Sequence, residues 1–474
     1  MRTIDQLGLF WLDGHPDDAL SGRLLFDPSS GIELSIVGMF DNLALSEARS
    51  IRRIIGWIGS QKVTLEDAFI SGSTQRSPGV SDCRFRANRL FVGAHLEGDT
   101  PTFKTVEFTA SNLDSWIGIS GISEYWNWEH RSSNVPDYNY RLNYRRPEPE
   151  VCDFTRGRIT IDYAHEQGGN EIHGVNFRQW PVVRVEYGDP QQFDVVRKDV
   201  GRFQSLMSLC IDEHPEMDGF ILTHPEIRAK LLDGSDGGQQ RIEFLAPPLR
   251  YTEPTRRKPV HRFEMLLDYH SLGGIDRVAA WLDSADRFQR SLDSFMSIKH
   301  GRPMYAENRF LNVTFAAESF HEVIIGGHYM NEDAFKNLLD SYLSNTPEEH
   351  QHWLLGKIQY GNEPPLRKRL HQLATRSVEA TRPIIGDRDR WAFVVATVRN
   401  ELTHLSSERR SFDERHLLPL TESVFAVVQI CMLLQSGVPI ETVSKKAASY
   451  RRTWYQAPLK QSLDEIWANI KKSH

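Results

Sequence analysis

The stretch RWAFVVATVRNELTHL, Arg390–Leu405, decides how the rest of this chain is read. Trp391, Val394, Val395, Val398 and Leu402 recur at helical spacing, and Asp387 or Asp389 stands where an N-cap belongs. The apolar run then closes on Arg399, Asn400 and His404, a set that packing alone does not require. At about 100° per residue, Asn400 and His404 share a helix face, whereas Arg399 and His404 diverge by about 140°. Arg399 and His404 meet at one phosphate only if the Arg side chain wraps or the helix loosens near His404. A two-fold pairing of helices from two copies is the third solution.

The surroundings of this stretch are helical. ENRFLNVTFAAESFHEVI, Glu307–Ile324, sets Phe310, Val313, Ala317, Phe320 and Ile324 on one stripe. Asn331 is a candidate N-cap for NEDAFKNLLDSYLSN, Gly361-Asn362 a stop, and Pro364-Pro365 the opening of LRKRLHQLATRS. LPLTESVFAVVQICMLLQSGVP reads as a core helix closed by Gly437 and Pro439, its polar interruptions and length arguing against a membrane span. Residues 300–474 are therefore expected to form an all-α bundle of five or six helices.

Arg, Asn and His suit RNA cleavage without a metal or other cofactor. A neutral His, of ordinary pKa ~6.5, accepts the ribose 2′-hydroxyl proton, and a protonated one donates to the leaving 5′-oxygen. Arg offers a planar fork to the phosphate as charge grows there, and Asn orients either partner. One His cannot act as acid and base at the same instant, so two copies supplying one each would meet the need. Arg and His also lie this close on ordinary solvated helices, and a last-turn cation is favoured by the helix dipole.

RNELTH, Arg399–His404, resembles the RNxxxH form of the Rx4–6H motif of HEPN domains, helical bundles that commonly act as metal-independent RNases when dimerised. Glu307–Glu322 is similar to the first helix of the Apea-like HEPN group. FDPSSGIELSIVG and FTASNLDSWIGISG are similar to the N-terminal domain that accompanies it in bacterial ApeA-type proteins. The resemblance implies a cytoplasmic endoribonuclease of abortive-infection defence, acting as a homodimer or higher oligomer and unleashed by a phage-derived trigger. Its implied catalytic residues are Arg399, Asn400 and His404, and transfer RNA is its substrate by analogy. A non-catalytic HEPN scaffold that binds RNA, a nucleotide or a protein through the same cleft is the rival reading. Glu318 matches a polar position near the cleft of some HEPN domains, although an internal ion pair explains it equally. Arg367, Lys368, Arg369 and Arg376 are candidate phosphate contacts, with a solvated helix face as the alternative.

Before residue 300 the pattern is strand-rich, so the fold class is α+β multidomain: β-rich first, helical bundle last. GRLLFDPSSGIELSIVGMF signals a hairpin, and short alternating runs through residue 140 suggest a sandwich or barrel. Residues 151–290 read as an α+β continuation ending in a connecting helix, with a boundary in Ser132–Glu150 and a basic connector in Arg250–Arg262. GGNEIHG, Gly168–Gly174, lacks the Walker lysine and the GxGxxG spacing and is better read as a hairpin tip. Nothing in this region has nucleophile or metal-ligand spacing, so a binding or sensing module is expected.

The chain has 474 residues, 40% apolar and 25% charged, which fits two or three globular domains. Its four cysteines, Cys83, Cys152, Cys210 and Cys431, are too scattered for a zinc site or a disulfide framework. Neither a secretory signal nor a membrane span is expected. From Phe295 onward there are 23 Lys+Arg against 20 Asp+Glu, leaving 33 against 43 before it, so the C-terminal third is the better match for a polyanion.

Overall fold

Alternating apolar residues in the first part of the chain become, in the computed structural model, six strands that close on themselves. The structure describes residues 3–40, 50–74, 76, 78–129, 137–170, 172–231, 233–247, 259–403, 410–447 and 454–473. The chain divides into two compact units, Met1–Gln204 with Pro215–Val260, and Ser205–His214 with His261–His474.

In the first unit, β1 (Ile4–Leu12), β2 (Leu20–Asp27), β3 (Gly31–Val37), β4 (Ile51–Ile58), β5 (Gln61–Thr74) and β6 (Asp82–Val92) form an antiparallel barrel in the order β6-β3-β2-β1-β4-β5, closed by β5 pairing with β6. The Pro-Ser-Ser turn joins β2 to β3 as expected: Asp27 Oδ1 accepts from the backbone of Ser29 and Ser30, at 2.8 and 3.3 Å. Those hydrogen bonds, with one from the Ser29 hydroxyl, hold the Asp27 carboxyl below its usual pKa. Phe10 lies in the interior, fully buried, directly across the β1–β4 pair from Gly56. A methyl on Gly56 would sit 2.4 Å from Phe10 Cδ1, and one on Gly22 3.1 Å from Cδ2. These glycines therefore make the space the ring fills. Arg53, also buried, donates to Glu66 at 2.7 Å and to Asp13 at 3.1 Å.

The sheet continues out of the barrel. β7 (Thr102–Ala110), α1 (Leu113–Ile117), β8 (Ile122–Glu129), β9 (Asp137–Tyr144), β10 (Glu150–Phe154), β11 (Gly157–Asn170), β12 (Gly174–Gln192), α2 (Phe193–Ile211), β13 (Met217–Lys230) and β14 (Asp236–Leu245) follow in sequence. The order β10-β11-β12-β7-β13-β14 leads into β6, while β8 and β9 form a separate two-stranded ribbon. β7 pairs with both β12 and β13, so the two expected segments, residues 1–140 and 151–290, share one sheet. Part of the expected boundary at Ser132–Glu150 is strand β9, and most of the expected connector Arg250–Arg262 lies outside the described residues. The GGNEIHG stretch is a hairpin tip, where Asn170 Oδ1 accepts from the backbone of Ile172 and His173 at 3.0 and 2.8 Å.

The second unit is helical: α3 (Tyr269–Leu272), α4 (Ile275–Ser284), α5 (Gln289–His300), α6 (Ala306–Ile324), α7 (Glu332–Ser344), α8 (Glu348–Ile358), α9 (Leu366–Arg376), α10 (Val378–Ile385), α11 (Arg388–Thr403), α12 (Glu414–Leu433), α13 (Ile440–Ala447) and α14 (Gln456–Ser473). The expected continuation ran to residue 290, and its helices α3 and α4 lie in this unit instead, together with α5. The reason is packing: Phe288 and Phe295 set their rings edge-on to Phe320 of α6 and Phe425 of α12, at 5.3 and 5.1 Å. From residue 300 on, nine α-helices among the described residues replace the five or six expected; α10, α13 and α14 are the ones not singled out from the sequence. α12 is long and apolar enough to cross a membrane, but 83% of its most apolar window is buried within the bundle.

His321 is buried on α6, with Nε2 2.8 Å from Gln372 Oε1 of α9 and Nδ1 without a partner among the described residues. Burial holds its pKa below the ordinary histidine value. The unfolded chain therefore takes the proton first as pH falls, so this contribution to stability is complete above about pH 6.5 and lost below it. Urea unfolding of the helical unit is expected to weaken between neutral pH and pH 5 more steeply in the wild type than in His321→Gln. Equal pH slopes would show that His321 does not carry the effect.

Candidate functional site

α11 starts where Asp387 caps it, its Oδ1 accepting from the Arg390 backbone at 2.8 Å. Trp391, Ala392, Val394, Val395, Ala396, Val398 and Leu402 are buried. Trp391 donates from Nε1 to Ser423 Oγ of α12 at 2.8 Å, and Arg390 Nη2 pairs with Asp464 of α14 at 2.6 Å. The helix is thereby fixed in register and rotation, and its last turn carries Arg399 and Asn400 toward solvent.

Arg399 is about one-third exposed, and Asn400 is exposed. Arg399 Nη2 lies 3.5 Å from Glu318 Oε2 of α6, and Nη1 lies 3.3 Å from Asn400 Oδ1. One guanidinium is thus held from two sides, while a partly exposed fork remains for an anion. The ion-pair reading of Glu318 and its closeness to the motif hold together, because its partner is the motif arginine. Thr403 Oγ1 donates to the Arg399 and Asn400 carbonyls at 3.2 and 2.9 Å, satisfying acceptors of the final turn. α11 ends at Thr403, and His404 lies outside the described residues, as do residues 405–409.

The chain returns to the site at an anchored point. Glu401 Oε2 accepts from the Ser411 backbone at 2.8 Å and from its hydroxyl at 3.0 Å; Arg410 pairs with Glu307 at 2.8 Å, and Asn469 donates to the Ser411 carbonyl at 3.0 Å. Glu401 occupies a spacer position of RNxxxH, so the motif pattern alone gave no reason to single it out. Its carboxylate ties Ser411 to the motif helix.

The four candidate phosphate contacts separate. Arg367, Lys368 and Arg376 are exposed on α9, with the Arg367 guanidinium 5.0 Å from the Phe393 ring. Arg369 is buried and fully engaged: it donates to Glu322 at 2.5 Å, to Glu363 at 2.9 Å and to the Pro364 carbonyl at 2.8 Å. Its assignment as an RNA contact is corrected, since its role is to pin the end of α6 to the start of α9. Helical spacing placed all four on one short segment but could not show which side chain turned inward.

A family model described as ApeA N-terminal domain 1 matches residues 6–281, more than half of the chain, and one described as Apea-like HEPN matches residues 311–442. The chain belongs to the ApeA family. No curated protein and no solved structure matches it. The HEPN match runs from within α6 to the first turn of α13 and so contains Glu318, the exposed α9 cations and the whole motif. ApeA N-terminal domain 1 takes in the barrel and the sheet as far as β14, which agrees with the β-rich region expected from the sequence. As a member of the ApeA family with an Apea-like HEPN domain, the chain has an anti-phage function of the HEPN kind.

Proposed function

We propose that this chain is the metal-independent endoribonuclease of an abortive-infection system, cutting RNA at a site shared by two copies. The observation that carries the reading is the end of α11: a helix buried along most of its length delivers Arg399 and Asn400 to solvent, with Glu318 steering the guanidinium. A partly exposed, oriented cation there suits a phosphate gaining charge. His404 takes the 2′-hydroxyl proton as the 2′-oxygen attacks phosphorus, and the bond from phosphorus to the 5′-oxygen breaks. The products are a 2′,3′-cyclic phosphate and a 5′-hydroxyl end, the latter protonated by the second copy's His404. Arg399 binds the non-bridging oxygens, and Asn400 orients its fork. Arg367, Lys368 and Arg376 supply phosphate contacts along α9. Transfer RNA, whose loops offer unpaired nucleotides, is the substrate class, the cytoplasm is the place of action, and the β-rich unit receives a phage-derived trigger.

End-mapping of RNA from cells expressing the wild type or His404→Ala tests this reading. Cyclic-phosphate ends that vanish in the variant support it, while identical maps would leave an RNA-, nucleotide- or protein-binding scaffold as the function. Glu318 acts through Arg399 and is a positioning residue. Glu318→Ala is expected to lower kcat about tenfold with little change in KM, because a misaimed fork is felt mainly in the transition state. Glu318→Gln keeps an acceptor for Nη2 and should restore most of the rate. Equal losses in both variants, or a loss confined to KM, would remove Glu318 from this role.

A further inference from the structure

α6 buries Phe310, Val313, Thr314, Ala316, Ala317, Phe320 and His321 and turns a second, more polar stripe to its other side. At about 100° per residue, Glu307, Phe315, Glu318 and Glu322 fall within an arc of about 80° there. Each carboxylate of the stripe receives an arginine. Arg410 donates to Glu307 at 2.8 Å, Arg399 to Glu318 at 3.5 Å, and Arg369 to Glu322 at 2.5 Å. Phe315 stands among these pairs and is 64% exposed.

Phe315 lies one turn before Glu318, the residue that steers Arg399. Helical neighbours three apart have Cβ atoms about 5–6 Å from each other. Side chains on a helix lean toward its N-terminus, so the Glu318 carboxylate stands over the turn that carries Phe315 and draws the Arg399 fork toward it. An exposed aromatic ring and a partly exposed guanidinium are thus presented within one turn of each other. The stripe's three carboxylates are matched by three guanidinium groups, so this surface sets no strong field against a polyanion.

We propose that Phe315 is a substrate-binding residue on which an unpaired nucleobase stacks, the base adjoining the phosphate that Arg399 takes. The inference rests on the ribonuclease reading given under Proposed function and deepens it by naming what is held. That is single-stranded RNA, with a base on the ring and the neighbouring phosphate on the fork. Every base has a π-face, so a phenyl ring receives any of the four and favours the larger purines. A second copy of this chain would also cover an apolar ring, but it brings no phosphate to the fork beside it.

Steady-state cleavage by the full chain of a short single-stranded RNA, cut at one mapped position, tests it. Phe315→Ala and Phe315→Leu should each raise KM about tenfold with the loss confined to KM, since stacking serves substrate and transition state alike. Phe315→Trp should hold KM at or below the wild-type value, and all three variants should melt as the wild type does, the ring being exposed. Removing from the RNA the base that flanks the cut, on one side or the other, should raise the wild type's KM by the same factor. It should leave the KM of Phe315→Ala unmoved. Unchanged KM in Phe315→Ala, a Phe315→Leu chain as good as the wild type, or an abasic penalty equal in both chains overturns the stacking while leaving the ribonuclease standing. Loss of oligomer mass in Phe315→Ala, read by sedimentation, overturns the nucleobase in favour of a second copy. A wild type that cuts no RNA overturns both readings.

Discussion

His404→Ala and Arg399→Ala are each expected to reduce RNA cleavage by about a hundredfold or more and to abolish toxicity in cells. A positioned general base or acid contributes about 10²–10⁴ to rate, and one preorganised donor to a developing oxyanion about 10²–10³. Arg399→Lys should recover little, because an ammonium lacks the planar fork that a phosphate's two oxygens accept. Neither alanine variant should unfold the helical unit. The core of α11 is Trp391, Val394, Val395 and Val398, and Arg399 makes only a partly exposed pair with Glu318. Cleavage of a labelled RNA, read alongside thermal melting, separates loss of chemistry from loss of fold. The wild-type rate should survive EDTA. Undiminished cleavage by folded His404→Ala would falsify the assignment, and activity removed by EDTA and restored by Mg²⁺ would move it to a metal-dependent nuclease.

Phe10→Ala is expected to destabilise the β-rich unit by about 3–5 kcal/mol. The ring is fully buried among strands that approach it closely at Gly22 and Gly56, and these glycines have no side chains to move into the void. Gly56→Ala should damage the same place from the opposite side, since its methyl would meet Phe10 Cδ1 at 2.4 Å and the Leu9 carbonyl at 2.7 Å. The double variant should lose less than the sum of the two, because removing the ring makes room for the methyl. Calorimetric transitions assigned to the β-rich unit measure all three. Strict additivity would show that Phe10 and Gly56 do not share the space described.

Much of the fold is legible before any coordinates. Local devices read correctly because their causes are local: Asn331 Oδ1 accepts from the Asp333 backbone at 2.9 Å, as an N-cap should, and Gly437 ends its helix at φ +79°. The buried stripe of α6 and the apolar side of α11 follow directly from periodicity. Less legible was the helical stretch from Tyr269 to Arg290, which sequence alone puts at the end of the preceding region. An amphipathic stripe says that a face is buried without saying against which partner, and only Phe320 and Phe425 supply that. Arg367, Lys368, Arg369 and Arg376 teach the same lesson for charge. Four cations on one helix look alike in sequence until Glu322 and Glu363 draw Arg369 inward.

Taken by itself, the amino-acid sequence determined that a β-rich region precedes a helical bundle and that Arg399 and Asn400 stand near the end of one buried helix, because both rest on residue spacing along the chain. It also carried the likeness to the ApeA family, since motif residues sit at set intervals. Only the tertiary structure decided that two apparent β segments share one sheet, that six strands close into a barrel around Phe10, and that Glu318 is the partner of Arg399. Those are meetings of residues distant in sequence, 81 positions apart for Glu318 and Arg399. Chain periodicity fixes which way a side chain faces, and long-range packing fixes what it faces.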